Sequence, residues 1–209
     1  MSSSTALGIV LGILVGLRHA FEPDHLTAVS TLVSETHSPK HGALLGVLWG
    51  LGHTTSLVVV GIVLAALDAT LPERAGIAFE LCVAVMLLFL GARAIVIAAR
   101  RDNGDHAHAH PHTRATRLRP LFVGLIHGLA GSGALTALVF AQLPTTASRI
   151  VYMALFGLGS IAGMAIASGV AGAALQVVAR SNTMRRRIGI ATGAVSIVVG
   201  LLWGIPLLT

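Results

Sequence analysis

Five ionisable side chains lie within eight residues of the first apolar stretch: Arg18, His19, Glu22, Asp24 and His25. Charged groups inside a membrane helix are costly, so they are usually functional or face water. Imidazole and carboxylate groups together suit divalent metals such as Ni²⁺, Co²⁺ and Zn²⁺, whereas Mg²⁺ and Ca²⁺ prefer sites made only of oxygen. The cluster therefore predicts a site for a divalent transition metal.

Pro23 is expected to interrupt the helix that carries these groups. On an unbroken helix of about 100° per residue, Asp24 would lie about 140° and His25 about 240° around the axis from His19. Proline donates no backbone hydrogen bond and disfavours helical geometry at the residue before it, Glu22. A break here brings the ligands together and leaves backbone carbonyl groups available to a cation or to water.

Two histidines in later apolar stretches extend the cluster. His53 lies near the centre of the second stretch, and His127 lies within about a turn of the centre of the fourth. Each one alone is more simply explained as a hydrogen-bonded core residue, but with the first cluster they offer imidazoles at similar depth. The predicted metal ligands are His19, Asp24, His25, His53 and His127. Arg18 and Glu22 are expected to orient these ligands, through an ion pair with each other or with Asp24.

A second group of histidines alternates along a polar, Arg-rich segment: His106, His108, His110 and His112. Such tracts bind metal weakly and adaptably. Two interpretations stay open at this point. The segment is either an auxiliary metal-binding loop that buffers or senses the ion, or a dispensable linker.

The rest of the chain has the composition of a membrane protein. Of its 209 residues, 55% are apolar and 11% are charged, whereas soluble domains carry about 25% charged residues. Six apolar stretches are long enough to cross a bilayer core of about 30 Å; they lie near 5–33, 42–67, 76–99, 120–143, 150–179 and 188–208. This pattern excludes a soluble domain and predicts an all-α polytopic membrane protein, with residues 1–209 forming a single transmembrane domain.

An internal repeat relates the two halves of the chain. The segment Val15–His19 recurs 108 residues later as Val123–His127, and Trp49–His53 aligns with Phe156–Ser160 at an offset of 107. Two motifs in the same order at nearly constant spacing indicate duplication.

Each repeat holds three apolar stretches, so the two halves must have opposite orientations in the membrane. We expect two inverted three-helix repeats, near 5–99 and 120–209, joined by the His-rich loop near 100–119. The first and fourth helices are expected to be interrupted, the fourth at Ser132 within a Gly-Ser-Gly sequence.

The site motifs resemble a known family. His19, Asp24 and His25 form an H-x4-D-H motif, and Leu51-Gly52-His53-Thr54 follows one helix later. Both resemble signatures of the nickel/cobalt transporter family, and the stretch from Arg18 to His25 is most similar to its six-span, urease-accessory-type branch. The resemblance implies a membrane carrier of Ni²⁺, and sometimes Co²⁺, in which the H-x4-D-H residues select the metal and His53 is the second-motif residue.

Three functions fit these observations. The preferred one is a secondary carrier that takes up Ni²⁺ across the bacterial inner membrane, because Glu22-Pro23 resembles the urease-accessory branch. The alternative is a Ni²⁺ or Co²⁺ exporter that uses the same site and collects metal on the His-rich loop. An intramembrane metalloenzyme is disfavoured because the chain has no HExxH motif, so we expect no enzyme activity.

The expected partners follow from the carrier interpretation. They are the transported Ni²⁺ or Co²⁺ and the lipid bilayer, with no permanently bound cofactor. Despite a net charge of +6, nucleic acid is not expected, because the basic residues gather at helix ends rather than on a continuous face. A homo-oligomer and contacts with nickel-enzyme maturation proteins are both compatible with the sequence.

The basic residues also predict the orientation in the membrane. Of the 14 Lys and Arg residues, ten lie in loops near 34–41, 100–119 and 180–187, which share one side, and only Arg74 and Arg149 lie on the other. The positive-inside rule places the basic loops, including the His-rich loop, in the cytoplasm. Both termini then lie outside the inner membrane.

Reporter fusions test this orientation. A periplasm-dependent reporter fused to the C-terminus should be active, because an even number of crossings returns the chain to the outer side. The same reporter inserted within 100–119 should be inactive, which provides the matched control. A cytoplasm-dependent reporter that is active at the C-terminus would contradict the predicted orientation.

Overall fold

The computed structural model describes residues 3–34, 38–67, 69–100, 118–130, 143 and 145–208. Within these ranges the chain forms helices and no strand, which confirms the all-helical prediction for this part of the chain. The helices are α1 (Ser3–His19), α2 (Pro23–Val33), α3 (Pro39–Ala66), α4 (Glu73–Arg100), α5 (Leu118–Ala130), α6 (Thr146–Val178) and α7 (Asn182–Gly204), followed by a 3₁₀ helix at Ile205–Leu207.

Four of these helices are long and apolar enough to cross a membrane: α3, α4, α6, and α7 with its 3₁₀ extension. The chain is therefore a multi-pass helical membrane protein. The described residues give four full-length spans rather than the six predicted. The first predicted span is divided between α1 and α2, and the fourth begins as α5 and passes beyond the described residues after Ala130.

The first predicted span is broken where its proline predicts. α1 ends at His19, and α2 begins with Pro23 in its first turn. Glu22, the residue before the proline, has extended backbone angles of φ −65° and ψ 151°. The backbone N–H of Glu22 donates to the carbonyl oxygen of His19 at 3.0 Å. This tight turn uses the carbonyl that we expected to be available to a cation, so side chains are the main candidate ligands at the break.

The helices pack through small residues, as is common in membranes. α1 and α3 both pack along α6, α4 packs against α7, and α2 contacts α3, α4, α6 and α7. At Gly46 of α3, an added Cβ would lie 2.7 Å from the carbonyl carbon of Met164 on α6. Glycine at this position lets the two backbones approach more closely than any other residue would allow.

Several close contacts recur in the two halves of the chain with equivalent partners. An added Cβ at Gly16 of α1 would overlap the carbonyl oxygen of Phe156 on α6, and one at Gly124 of α5 would overlap that of Trp49 on α3. Two more glycines meet carbonyl oxygens in the same way, with the pairs Gly159–Ile13 and Gly52–Leu121. In each case the equivalent residues are 107 or 108 positions apart, which are the offsets of the sequence repeat.

In the contact between α4 and α7, one glycine of each helix packs against the backbone of the other. An added Cβ at Gly91 would lie 2.6 Å from the carbonyl oxygen of Gly193, and one at Gly193 would lie 2.6 Å from that of Gly91. Near this crossing, the Ser196 hydroxyl donates to the carbonyl oxygen of Leu87 at 2.8 Å. At this crossing the two helices therefore contact each other mainly through backbone atoms, and the buried hydroxyl adds a hydrogen bond between them.

Alanine substitutions at the equivalent glycines test this packing. Gly16→Ala and Gly124→Ala should each destabilise the protein by about 1–3 kcal/mol, because the new methyl group overlaps backbone that cannot rotate away. Thermal unfolding of the detergent-solubilised protein, followed by helical circular dichroism, measures the loss.

Gly76→Ala is the matched control, because the nearest atom to its added Cβ is a leucine methyl carbon at 3.8 Å, an ordinary contact. It should leave the unfolding temperature unchanged or raise it slightly, since alanine favours helix by about 1 kcal/mol over glycine. Wild-type stability of both Gly16→Ala and Gly124→Ala would contradict the described packing.

Candidate metal centre

Four helices bring the predicted ligands into one cluster. His19 is the last residue of α1, His25 lies in the first turn of α2, and His53 and His127 lie within α3 and α5. The ring of His25 has its centroid 4.4 Å from that of His19, 5.2 Å from that of His53 and 4.2 Å from that of His127. The break before Pro23 thus places residues of α1 and α2 beside histidines that are distant in sequence.

Three imidazoles form a first group of possible ligands. His19, His25 and His53 each offer one nitrogen, and the three nitrogens lie within 4.8 Å of one another. The Nε2 atoms of His19 and His25 and both ring nitrogens of His53 are buried, and they have no hydrogen-bond partner in the described part of the chain. Because unsatisfied buried polar atoms are costly, a purely structural role explains this group poorly. A bound cation would satisfy one nitrogen of each ring.

Two of these rings are hydrogen-bonded to carboxylates. The Nδ1 of His19 lies 2.9 Å from Glu22 Oε2, and the Nδ1 of His25 lies 3.1 Å from Asp24 Oδ1. A carboxylate accepts these hydrogen bonds, so the imidazole Nδ1 atoms donate and the Nε2 lone pairs stay available. This is the usual outer-shell arrangement of metal-binding histidines, in which a carboxylate fixes the tautomer and orientation of the ring.

Asp24 also takes part in a second group of possible ligands, with His25 and His127. Their ligand atoms again lie within 4.8 Å of one another. Asp24 Oδ2 accepts a hydrogen bond of 2.8 Å from the Nε2 of His127 on α5. One carboxylate therefore connects histidines of α2 and α5, which belong to the two halves of the chain.

Two aromatic rings lie beside the histidine cluster, and a buried hydroxyl lies one turn further along α6. The ring of Trp49 lies 5.5 Å from that of His25 and 5.6 Å from that of His127, and Phe156 lies 5.2 Å from His19. Ser160 is fully buried, and its Oγ has no partner within the described ranges. Sequence reasoning did not select these residues, although the repeat offered a signal: Trp49 and Phe156 are equivalent positions, and Ser160 is equivalent to His53.

Other predicted site residues lie outside this cluster. Arg18 is exposed at the end of α1, and the carboxylates expected to pair with it, Glu22 and Asp24, contact histidines instead. The predicted second break and the auxiliary loop fall outside the described residues; these are Ser132, His106, His108, His110 and His112.

Comparison with known proteins gives two relatives. The urease accessory protein UreH of Bacillus sp. (strain TB-90) is 30% identical over an alignment of 201 residues, which covers 92% of this chain and 88% of that protein. The chloroplast protein FOR GROWTH AND FERTILITY 2 of Arabidopsis thaliana is 24% identical over 163 residues, 73% of this chain and 44% of that longer protein.

No family model and no solved structure matches the chain. The similarity to UreH extends over nearly the whole of both sequences. The chain belongs to the nickel/cobalt transporter-type urease accessory family to which UreH belongs.

Proposed function

We propose that this protein is a secondary carrier for the uptake of Ni²⁺ across the bacterial inner membrane. The observation that carries this proposal is the convergence of three imidazoles, each with a buried and unpartnered nitrogen in the described part of the chain, at a break between membrane helices. Membership of a nickel/cobalt transporter-type family supports the choice of metal. We propose no permanently bound cofactor, since the ion is the cargo.

The chemistry of the cluster suits a borderline metal. Imidazole nitrogens bind Ni²⁺, Co²⁺ and Zn²⁺ well, and Mg²⁺ or Ca²⁺ poorly. His19, His25 and His53 are the proposed nitrogen ligands, Asp24 and His127 are further ligands on the α5 side, and Glu22 orients His19. Each group supplies only three ligands, so a bound ion keeps open coordination positions. Open positions favour exchange of the ion over permanent retention.

We further propose that the two halves are inverted repeats that move against each other around this site. The proposal is supported by the contacts that recur at the repeat offsets, such as Gly16 with Phe156 and Gly124 with Trp49. In transporters built from inverted repeats, alternating access arises from movement of one repeat against the other around a central site. Here the Asp24–His127 hydrogen bond crosses between the halves, so it must change when they separate.

Transport by purified protein tests the proposed function. In oriented proteoliposomes loaded from outside with radioactive Ni²⁺, His19→Ala and Asp24→Ala should each lower the flux by about 10–100-fold, since they remove a ligand or the carboxylate that orients one. Measuring the wild-type flux with and without a pH gradient tests whether protons are the coupling ion.

His41→Ala is the matched control for these variants. His41 is an exposed histidine on the same helix as His53, twelve residues earlier, which places it about 18 Å away along the axis. It should transport like the wild type. Wild-type flux in both His19→Ala and Asp24→Ala would rule out this site as the path of the ion.

Export is the competing direction, and the four alternating histidines of the 100–119 loop are the observation that favours it. Deletion of residues 106–112 separates the two directions in living cells. For an uptake carrier, the deletion should leave resistance to external Ni²⁺ unchanged. A clear fall in resistance, with the protein present at its normal level in the membrane, would favour an exporter that collects cytoplasmic metal on this loop.

A further inference from the structure

The two groups of possible ligands overlap in one residue, His25. The first group is His19, His25 and His53, and the second is Asp24, His25 and His127. The Nε2 of His25 has no hydrogen-bond partner in the described part of the chain, whereas its Nδ1 lies against Asp24. His25 is therefore the one ligand common to the two groups.

The two groups differ in what lies beside them. The side chain of His19 in the first group is 15% exposed and contacts Glu22, which is 53% exposed. In the second group, the side chains of Asp24, His25 and His127 are 12%, 1% and 2% exposed. An ion that arrives past Glu22 therefore reaches His19 of the first group first.

The two groups also differ in chemistry. The first offers three neutral nitrogen ligands, and the second includes the carboxylate of Asp24. A nitrogen-only position discriminates against Mg²⁺ and Ca²⁺, which prefer oxygen ligands. The carboxylate then attracts a divalent cation strongly, because opposite charges interact more strongly in a poorly solvated environment than in water.

We infer that one divalent ion occupies the two groups in turn, with His25 as a ligand in both. The first position selects the ion, and the second holds it at the contact between α2 and α5. Two ions are not held together, since divalent charges bridged by one small ring repel each other strongly. As a description of a transport path, this inference rests on the proposed carrier function, but the two positions are defined by binding alone.

Metal binding to the full-length protein in detergent tests the two positions, with Ni²⁺ alone as the probe. Equilibrium dialysis gives the stoichiometry, and X-ray absorption at the nickel edge counts imidazole and carboxylate ligands. The wild type should bind one ion per chain. His53→Ala should still bind one ion, with two imidazoles and a carboxylate, whereas His127→Ala should bind one ion with three imidazoles and no carboxylate.

Further variants complete the set. His25→Ala should lose more affinity than either of these variants, because it damages both positions, and His41→Ala should bind like the wild type. Where an alanine variant does not fold, His53→Asn or His127→Asn replaces it. The inference is overturned if His53→Ala and His127→Ala each keep all four remaining ligands, as a single five-ligand site would, or if the wild type binds two ions at once.

Flux measurements separate this inference from the proposed function. His53→Ala and His127→Ala should bind Ni²⁺ yet transport it at least about tenfold more slowly than the wild type, because the ion reaches one position and stops. If the wild type transports no Ni²⁺ but His53→Ala and His127→Ala bind it with the two different ligand sets, the carrier function is contradicted and the two positions are supported. If His19→Ala abolishes flux while one five-ligand site is found, the carrier function stands and the two positions fail.

Discussion

The break between α1 and α2 is the feature on which the rest of the site depends. Pro23 cannot donate a backbone hydrogen bond, so the helix must stop and restart there. In a membrane, the freed backbone groups and the nearby charges need partners within the protein, because lipid offers none. The backbone meets part of this need through the bond between Glu22 and His19. Side chains meet the rest, and they converge as a result: Glu22 holds His19, and Asp24 holds His25 and His127.

Glycine allows the other two histidine-bearing helices to reach this break. Gly124 and Gly128 let α5 lie directly on the backbone of α3 beside Trp49 and His53. Gly16 does the same for α1 against α6, next to Phe156. A larger residue at any of these positions would push the helices apart and would move their imidazoles away from the ring of His25, which lies at the centre of the cluster. The small residues are therefore part of the site, although they offer no ligand.

The sequence predicts more of this site than of the surrounding fold. The proximity of His19 and His25 could be predicted because the two residues lie close in sequence. Their residue types, the proline and the helical period were enough for that prediction. The bond from Asp24 to His127 joins residues 103 positions apart, so it depends on how α2 meets α5, which no local pattern specifies. Arg18 shows the same limit. Its charge suggested an ion pair with a carboxylate, but the adjacent His19 contacts Glu22, and His127 of α5 contacts Asp24.

Charge balance explains why the carboxylates stand beside the imidazoles. A divalent ion bound by neutral imidazoles alone would keep its full charge inside a bundle of apolar helices, where an uncompensated charge is very unfavourable. Glu22 and Asp24 are the acidic residues of the break, and together they carry two formal negative charges when ionised. They contact the rings of His19, His25 and His127 directly, so their charge lies within one side chain of the proposed ligand atoms. In the proposed carrier, the nitrogen ligands would provide selectivity for the metal while the carboxylates beside them offset its charge, so one small cluster would meet both requirements of moving a metal ion through a membrane.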